Sequence, residues 1–239
     1  MEHQTTASVS ETREPVAGGK DRKQRIRRMT ATAMVAALAY LMVIVCKIPV
    51  VMFLKYDPKD VMIAVGGFML GPLSAVYITV AVALIEMVTV GASGLVGFLM
   101  NVISSCAFTL PAAWLYARRR NLRGAVLGLT LGAISMTGMM LVWNLIVTPL
   151  YMGYPRQAVV DLILPVLLPF NLCKSVLNAG LIMLMYKRIS GLILRMAGRY
   201  SPSADKSEPQ GPSVRLLTVA LSAALVLLAV GCMWLLSRG

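Results

Sequence analysis

Acidic residues are scarce in this chain of 239 residues, where ten Asp and Glu stand against 23 Lys and Arg. Histidine occurs once, as His3 in a polar segment, which removes histidine metal clusters and histidine-based triads from consideration. The four cysteines, Cys46, Cys106, Cys173 and Cys232, have no CxxC spacing and lie in or beside apolar stretches. They read as small apolar residues, and neither a disulfide framework nor a zinc site is expected. Catalytic motifs are missing as well. Gly18-Gly19-Lys20 is followed by Asp21 and lacks the leading glycine of a phosphate loop, and no GxSxG elbow or HExxH pair occurs. The chain is therefore expected not to be an enzyme. Charged residues of both signs make up only 14%, whereas hydrophobic residues reach 58%, a balance foreign to an ordinary soluble domain.

What fills the sequence instead is a succession of apolar runs. Spans are predicted over residues 29–46, 73–90, 94–117, 124–148, 160–186 and 214–236, with a shorter apolar helix at 60–70 that Gly71-Pro72 terminates. A bilayer-crossing helix takes about 20 residues, so these runs and their loops occupy nearly the whole chain. The 60–70 helix is too short for an upright crossing and needs the surrounding protein or local thinning. Pro165 and Pro169 are expected to disturb the first turns of the 160–186 helix. The fold class is thus an all-α integral membrane protein, a six-helix bundle followed by a seventh, C-terminal transmembrane helix. Its expected parts are a basic cytoplasmic tail (1–28), a membrane domain (29–189), a polar cytoplasmic linker (190–213) and the additional helix (214–239). A cleaved signal peptide is not expected, because the basic region is long and no small-residue cleavage site follows it.

Charge orients these helices. With the N-terminal tail inside, 17 of the 23 basic residues fall on the cytoplasmic side and five outside, leaving Lys174 at membrane depth. The basic excess needs no nucleic-acid partner; the bilayer accounts for it, and a cell membrane is the expected location.

Function is then sought among polar groups that lipid would penalise. Asn171, Lys174 and Asn178 recur at i, i+3, i+7 on one face of a helix whose other faces are mostly Leu, Val, Met and Ile. An ammonium on that stripe points into the bundle or a wet cavity, unless it snorkels outward while the asparagines join helices. Asn101 and Asn144 sit within about two turns of the outer ends of their helices and are placed to line the same outward-facing pocket. Glu86 either pairs with Lys174 or sits at the interface. The outer loop Phe53-Leu54-Lys55-Tyr56-Asp57-Pro58-Lys59-Asp60 mixes rings, charge and a rigid Pro, a chemistry suited to a lid. Tyr40, Phe53, Tyr56, Trp143, Tyr151 and Phe170 are available to pack on a flat ring. On the first helix Ala33 and Ala37, with Ala36 and Ala39 beside them, form a small-residue surface for another helix, internal or from a second protein.

The loop from Leu54 through Asp60, the short helix ending Gly66-Gly67-Phe68-Met69-Leu70-Gly71-Pro72, and the run Pro169-Phe170-Asn171-Leu172-Cys173-Lys174-Ser175-Val176-Leu177-Asn178 resemble the riboflavin-specific S component of energy-coupling factor (ECF) vitamin transporters. The resemblance covers residues 29–189. It implies a six-helix subunit that captures the vitamin from outside with high affinity, closes the first outer loop over it, and depends on a separate transmembrane T component and two ATPase subunits. By the same resemblance Tyr56 and Asp57 belong to the lid, while Asn101, Asn144, Asn171 and Lys174 meet the polar ring edge or ribityl hydroxyls. Ala33 and Ala37 match the motif that contacts the T component. Riboflavin is then the transported ligand, and no cofactor is implied. The seventh helix departs from this plan. Two alternatives stand beside it: an S component for another vitamin or precursor, and an ion-coupled secondary transporter with Glu86 and Lys174 as relay, which the lack of a visible internal repeat disfavours.

Overall fold

A computed structural model describes residues 17–51, 54–91, 94–153, 155–196 and 212–238. Arg13 and most of the polar linker, predicted above as cytoplasmic, and Phe53 lie outside the described residues. The chain runs through α1 (Ala17–Val45), β1 (Ile48–Val51), β2 (Leu54–Tyr56), α2 (Lys59–Leu70), α3 (Pro72–Thr89), α4 (Gly94–Arg119) and α5 (Leu122–Met152). It continues through α6 (Arg156–Leu162), a π-helical turn (Ile163–Leu167), α7 (Leu168–Met196) and α8 (Pro212–Arg238). Among the described residues six helices are long and apolar enough to cross a membrane, α8 included and α2 not.

α1 starts earlier than its apolar run, since the basic segment continues the same helix back to Ala17. α2 has 12 residues, about 18 Å of rise against an apolar bilayer thickness of about 30 Å. It survives at this length because protein surrounds it. Nearly all of its residues are buried, and it packs on α1, α3, α4 and α7. Gly66 and Gly67 permit that enclosure. A Cβ on Gly66 would lie 2.9 Å from Val35 Cγ1 of α1, and one on Gly67 would lie 2.9 Å from Ala113 Cβ of α4. The helix ends at Gly71, whose φ of 101° is costly for any residue with a side chain, and Pro72 opens α3 at a position where its missing N–H costs nothing.

α4 and α5 pair closely along a small-residue seam. Gly128 faces the Ala112 backbone, where a Cβ would come within 2.8 Å of the carbonyl oxygen, and Gly132 abuts the Phe108 backbone more closely still. In lipid such contact stabilises by van der Waals packing. The π-turn contains Pro165, whose absent N–H and bulky ring disrupt the ordinary i to i−4 ladder, as expected from the sequence.

The segment between α1 and α2, read from the sequence as a loop, is an antiparallel hairpin pairing Ile48 with Tyr56 and Val51 with Leu54. Leu54 and Tyr56 are buried while Lys55 between them is exposed, the alternation of a strand lying flat on an apolar surface. Pro49 is tolerated because a two-stranded ribbon leaves its outer edge unpaired. Three apolar clusters result: α1, α2 and α3 share one; α2, α4, α5 and α7 share another; the hairpin, α6, α7 and α8 share the third.

Candidate functional site

Beneath the hairpin, charged and polar side chains from α2, α3, α4 and α7 meet. Asp60, fully buried at the start of α2, is the hub: Ser105 Oγ of α4 donates to its Oδ1, and Asn178 Nδ2 of α7 donates to Oδ2 at 3.4 Å. Lys174 Nζ lies 3.9 Å from the same oxygen. The Tyr56 hydroxyl donates to Asn178 Oδ1 at 3.0 Å and so ties the hairpin to α7.

A second group of charges adjoins it. Lys59 Nζ donates to Glu86 Oε2 at 2.6 Å, and Lys47 Nζ donates to Oε1 at 2.8 Å. Lys47 precedes β1 and Lys59 follows β2, so one carboxylate on α3 grips both roots of the hairpin. Asp57 Oδ2 sits 3.6 Å from Lys59 Nζ. The two groups together comprise Lys47, Lys59 and Lys174 against Asp57, Asp60 and Glu86. Equal numbers of opposite charges offset the large cost of taking each from water. The pairing of Glu86 with Lys47 and Lys59 resolves the alternative left by the sequence, since Lys174 turns to Asp60.

Tyr56, the last residue of β2, and Asp57 beside it titrate away from their ordinary values. Burial would raise the Asp57 carboxyl, but Lys59, Lys174 and Lys47 outweigh it and hold the group below its ordinary range, hence ionised. The Tyr56 phenol is driven upward, by burial first and then by Asp60 and Asp57, and it remains a hydrogen-bond donor.

Two groups of this network keep hydrogen-bonding capacity among the described residues. Asp57 Oδ1 is buried with no hydrogen-bond partner among the described residues. Among the described residues the ion pair of Lys174 is with the Asp60 carboxylate at 3.9 Å, outside hydrogen-bond reach, and its charge also acts on Asp57. One is a spare acceptor and the other a spare donor.

Of the residues singled out from sequence, Tyr56, Asp57, Lys174 and Asn178 converge here, all buried, and Asn171 is buried one turn before Lys174 along α7. Asn171 and Asn144 each direct one amide hydrogen to the carbonyl four residues back, Leu167 at 2.8 Å and Met140 at 2.7 Å, and Asn144 also accepts from Thr148. Asn101 is half-buried on α4. Tyr40 instead bonds Thr89, and Tyr151 is exposed. The asparagine and lysine stripe is buried and turns to other elements: Asn178 bonds Asp60 and accepts from Tyr56 of the hairpin, Lys174 faces Asp60, and Asn171 bonds the Leu167 carbonyl. Sequence reading overlooked Asp60 as a hub and Ser105 as its partner. A carboxylate opening an apolar helix was the available signal for Asp60; nothing marked Ser105.

Ala33 and Ala37 are exposed on α1. A cavity of about 730 Å³ lies between α1 and α3 at the end remote from the hairpin, lined by Arg25, Arg28, Ala33 and Tyr77 among others. Its walls hold no group of the buried network, so the network and not this groove is the candidate site.

Comparison with known proteins gives the family of the chain. Residues 27–186 match the family model of the ECF transporter substrate-specific component. The riboflavin transporter FmnP of Bacillus subtilis (strain 168) is 23% identical over 176 residues, 69% of this chain and 93% of the relative. The riboflavin transporter RibU of Staphylococcus aureus (strain TCH60) is 23% identical over 183 residues, 72% of this chain and 95% of the relative. A solved S component of a bacterial ECF transporter superposes with a TM-score of 0.59 at 24% identity, covering 71% of this chain and 98% of that one. With two thirds of its length inside the family model and a bundle of the same fold, the chain belongs to the substrate-specific components of ECF transporters.

Proposed function

We propose that this subunit captures riboflavin from the outer side of a prokaryotic cell membrane and holds it beneath the β1–β2 hairpin. The observation that carries the reading is the hydrogen-bonding capacity left in the buried network, an unpartnered Asp57 Oδ1 and a Lys174 ammonium that stands beyond hydrogen-bond distance of Asp60. A flavin supplies their complements, with carbonyl and ring-nitrogen acceptors for Lys174 and an imide N–H or ribityl hydroxyls for Asp57. Asn144 and Asn171 retain an amide hydrogen each for the same rim, Asn101 borders it from α4, and Tyr56 and Phe170 offer apolar surface to the ring. The ligand enters by lifting the hairpin, which breaks the Tyr56–Asn178 bond while the Glu86 grip keeps both hairpin roots in place. The names of both curated relatives support riboflavin as the vitamin.

Residues 29–189 form the substrate-binding domain in this reading, and the basic N-terminal segment lies in the cytoplasm, as the distribution of Lys and Arg favours. Import requires a separate T component and two ATPase subunits. Ala33 and Ala37, exposed and small, are the docking positions for the T component. An ion relay between Glu86 and Lys174 has no support, because the two are bonded to different partners.

The test is a titration of the purified, detergent-solubilised chain with riboflavin. Flavin fluorescence quenches with saturable, tight binding if the assignment holds. Absence of quenching and of co-purifying flavin absorbance removes riboflavin as the ligand, and quenching competed by a different vitamin redirects the specificity.

A further inference from the structure

We propose that α8, which lies beyond the residues matching the family model, is a fixed seventh wall of the binding domain that holds the hairpin shut and slows ligand release. The inference rests on the reading of the hairpin as a lid.

α8 is seated, not merely tethered. Ser222, Ala229 and Met233 are buried along one face, with Val226 and Leu236 continuing the stripe, while Leu221, Leu227, Leu228 and Leu235 are exposed on the opposite side. Gly180 of α7 lets the helices meet closely, since a Cβ there would stand 2.8 Å from Val226 Cγ2 and 3.4 Å from the Ser222 carbonyl oxygen. Towards the hairpin, Ala229 and Met233 join one apolar cluster with Leu54, Tyr56, Phe170, Cys173 and Leu177, and Val50 and Leu236 pack against it. The same Tyr56 bonds Asn178, and Phe170, Cys173 and Leu177 alternate along α7 with Asn171, Lys174 and Asn178. α8 therefore touches the lid and the back of the helix that carries the polar stripe.

Opening the lid means pulling Leu54 and Tyr56 out of that cluster. Each loses apolar contact to water at the membrane surface, a loss that α8 enlarges by supplying part of the cluster. Removing such contacts raises the dissociation rate more than it lowers the association rate.

The experiment uses the full chain in native membranes and in detergent. Oxidation with copper phenanthroline joins Cys173 of α7 to Cys232 of α8, which pack in the same cluster; two thiols lose two protons and two electrons to the oxidant and form one disulfide. A protease site between α7 and α8 reveals the link on a gel. Radiolabelled riboflavin is then chased from Gly180→Val, Met233→Ser and the lipid-facing control Leu227→Ser. The expected result is a cross-link in the parent chain and release faster by roughly fivefold or more in the first two variants, with Leu227→Ser unchanged. A ligand-free readout separates this proposal from the choice of vitamin: Leu54→Cys, in a background whose other cysteines are alanine, is labelled by an impermeant maleimide severalfold faster when α8 is displaced by Gly180→Val. Failure of the parent chain to bind riboflavin overturns the ligand but leaves the labelling result to be judged. No cross-link, or parental release and labelling rates in both α8 variants, overturns the seventh-wall proposal.

Discussion

The Lys59 ammonium lies 2.6 Å from the Glu86 carboxylate, and both side chains are almost entirely screened from solvent. The pair anchors the start of α2 to the end of α3 and, through Lys47, both roots of the hairpin. Its removal should therefore be felt in stability and in lid behaviour together.

Glu86→Gln leaves Lys59 buried without its closest counter-charge. The expected loss is about 3 kcal/mol of unfolding free energy. Unfolding followed in detergent checks the figure, and Glu86→Gln combined with Lys59→Met should be less damaging than the two single losses added. Full additivity would show that the two side chains do not act as a pair.

Lys174→Met and Asn171→Leu should each weaken riboflavin binding by about one to two orders of magnitude, as expected for loss of a buried hydrogen-bonding group to a ligand. Membrane insertion should remain near normal, because among the described residues Asn171 bonds only the Leu167 carbonyl, and Asp60 keeps Ser105 and Asn178 when Lys174 is lost. Fluorescence titration beside membrane yield distinguishes the effects, and unchanged affinity in both variants would return the two residues to a structural role.

Stability should be nearly flat between about pH 5 and pH 8 as far as the lid groups are concerned. Asp57 titrates below its ordinary 3.8 in the folded chain, so its contribution is complete above that value and disappears as pH falls through the lower, folded one. Tyr56 is displaced the opposite way: its contribution is complete below the ordinary 10.0 and is lost as pH rises from there towards the folded value. Thermal unfolding across pH should show both edges, and Tyr56→Phe should lose only the alkaline one.

Gly132→Leu should disrupt the α4–α5 seam, because even a methyl group at this position falls well inside contact distance of the Phe108 backbone. A destabilisation of about 2 kcal/mol or more follows from overpacking of this kind. Detergent unfolding and yield of folded protein measure it.

Ala33→Trp and Ala37→Trp should leave riboflavin binding to the isolated subunit intact, since both positions are exposed and remote from the hairpin. Uptake by cells that also supply the T component and ATPases should fall sharply. Normal transport in both variants would place the docking surface elsewhere.

Hydropathy alone established the helical membrane class, because lipid forces each crossing segment to satisfy its own backbone and be apolar over a fixed length. The positions of Gly71-Pro72 and Pro165 marked the break after α2 and the disturbed entry to α7, since both act through local backbone chemistry. The 3.6-residue period also put Asn171, Lys174 and Asn178 on one face. Their partners were not legible. Tyr56 and Asn178 are separated by 122 positions, and Asn178 and Asp60 by 118, and no local rule links groups so far apart. The hairpin was hidden for a related reason: its strands have four and three residues, one includes Pro49, and they persist because α7 and α8 cover their apolar face. Composition and periodicity thus determined which segments enter the membrane, whereas tertiary packing decided which buried charge neutralises which, since that choice depends on ångström-scale separations created only when the helices come together.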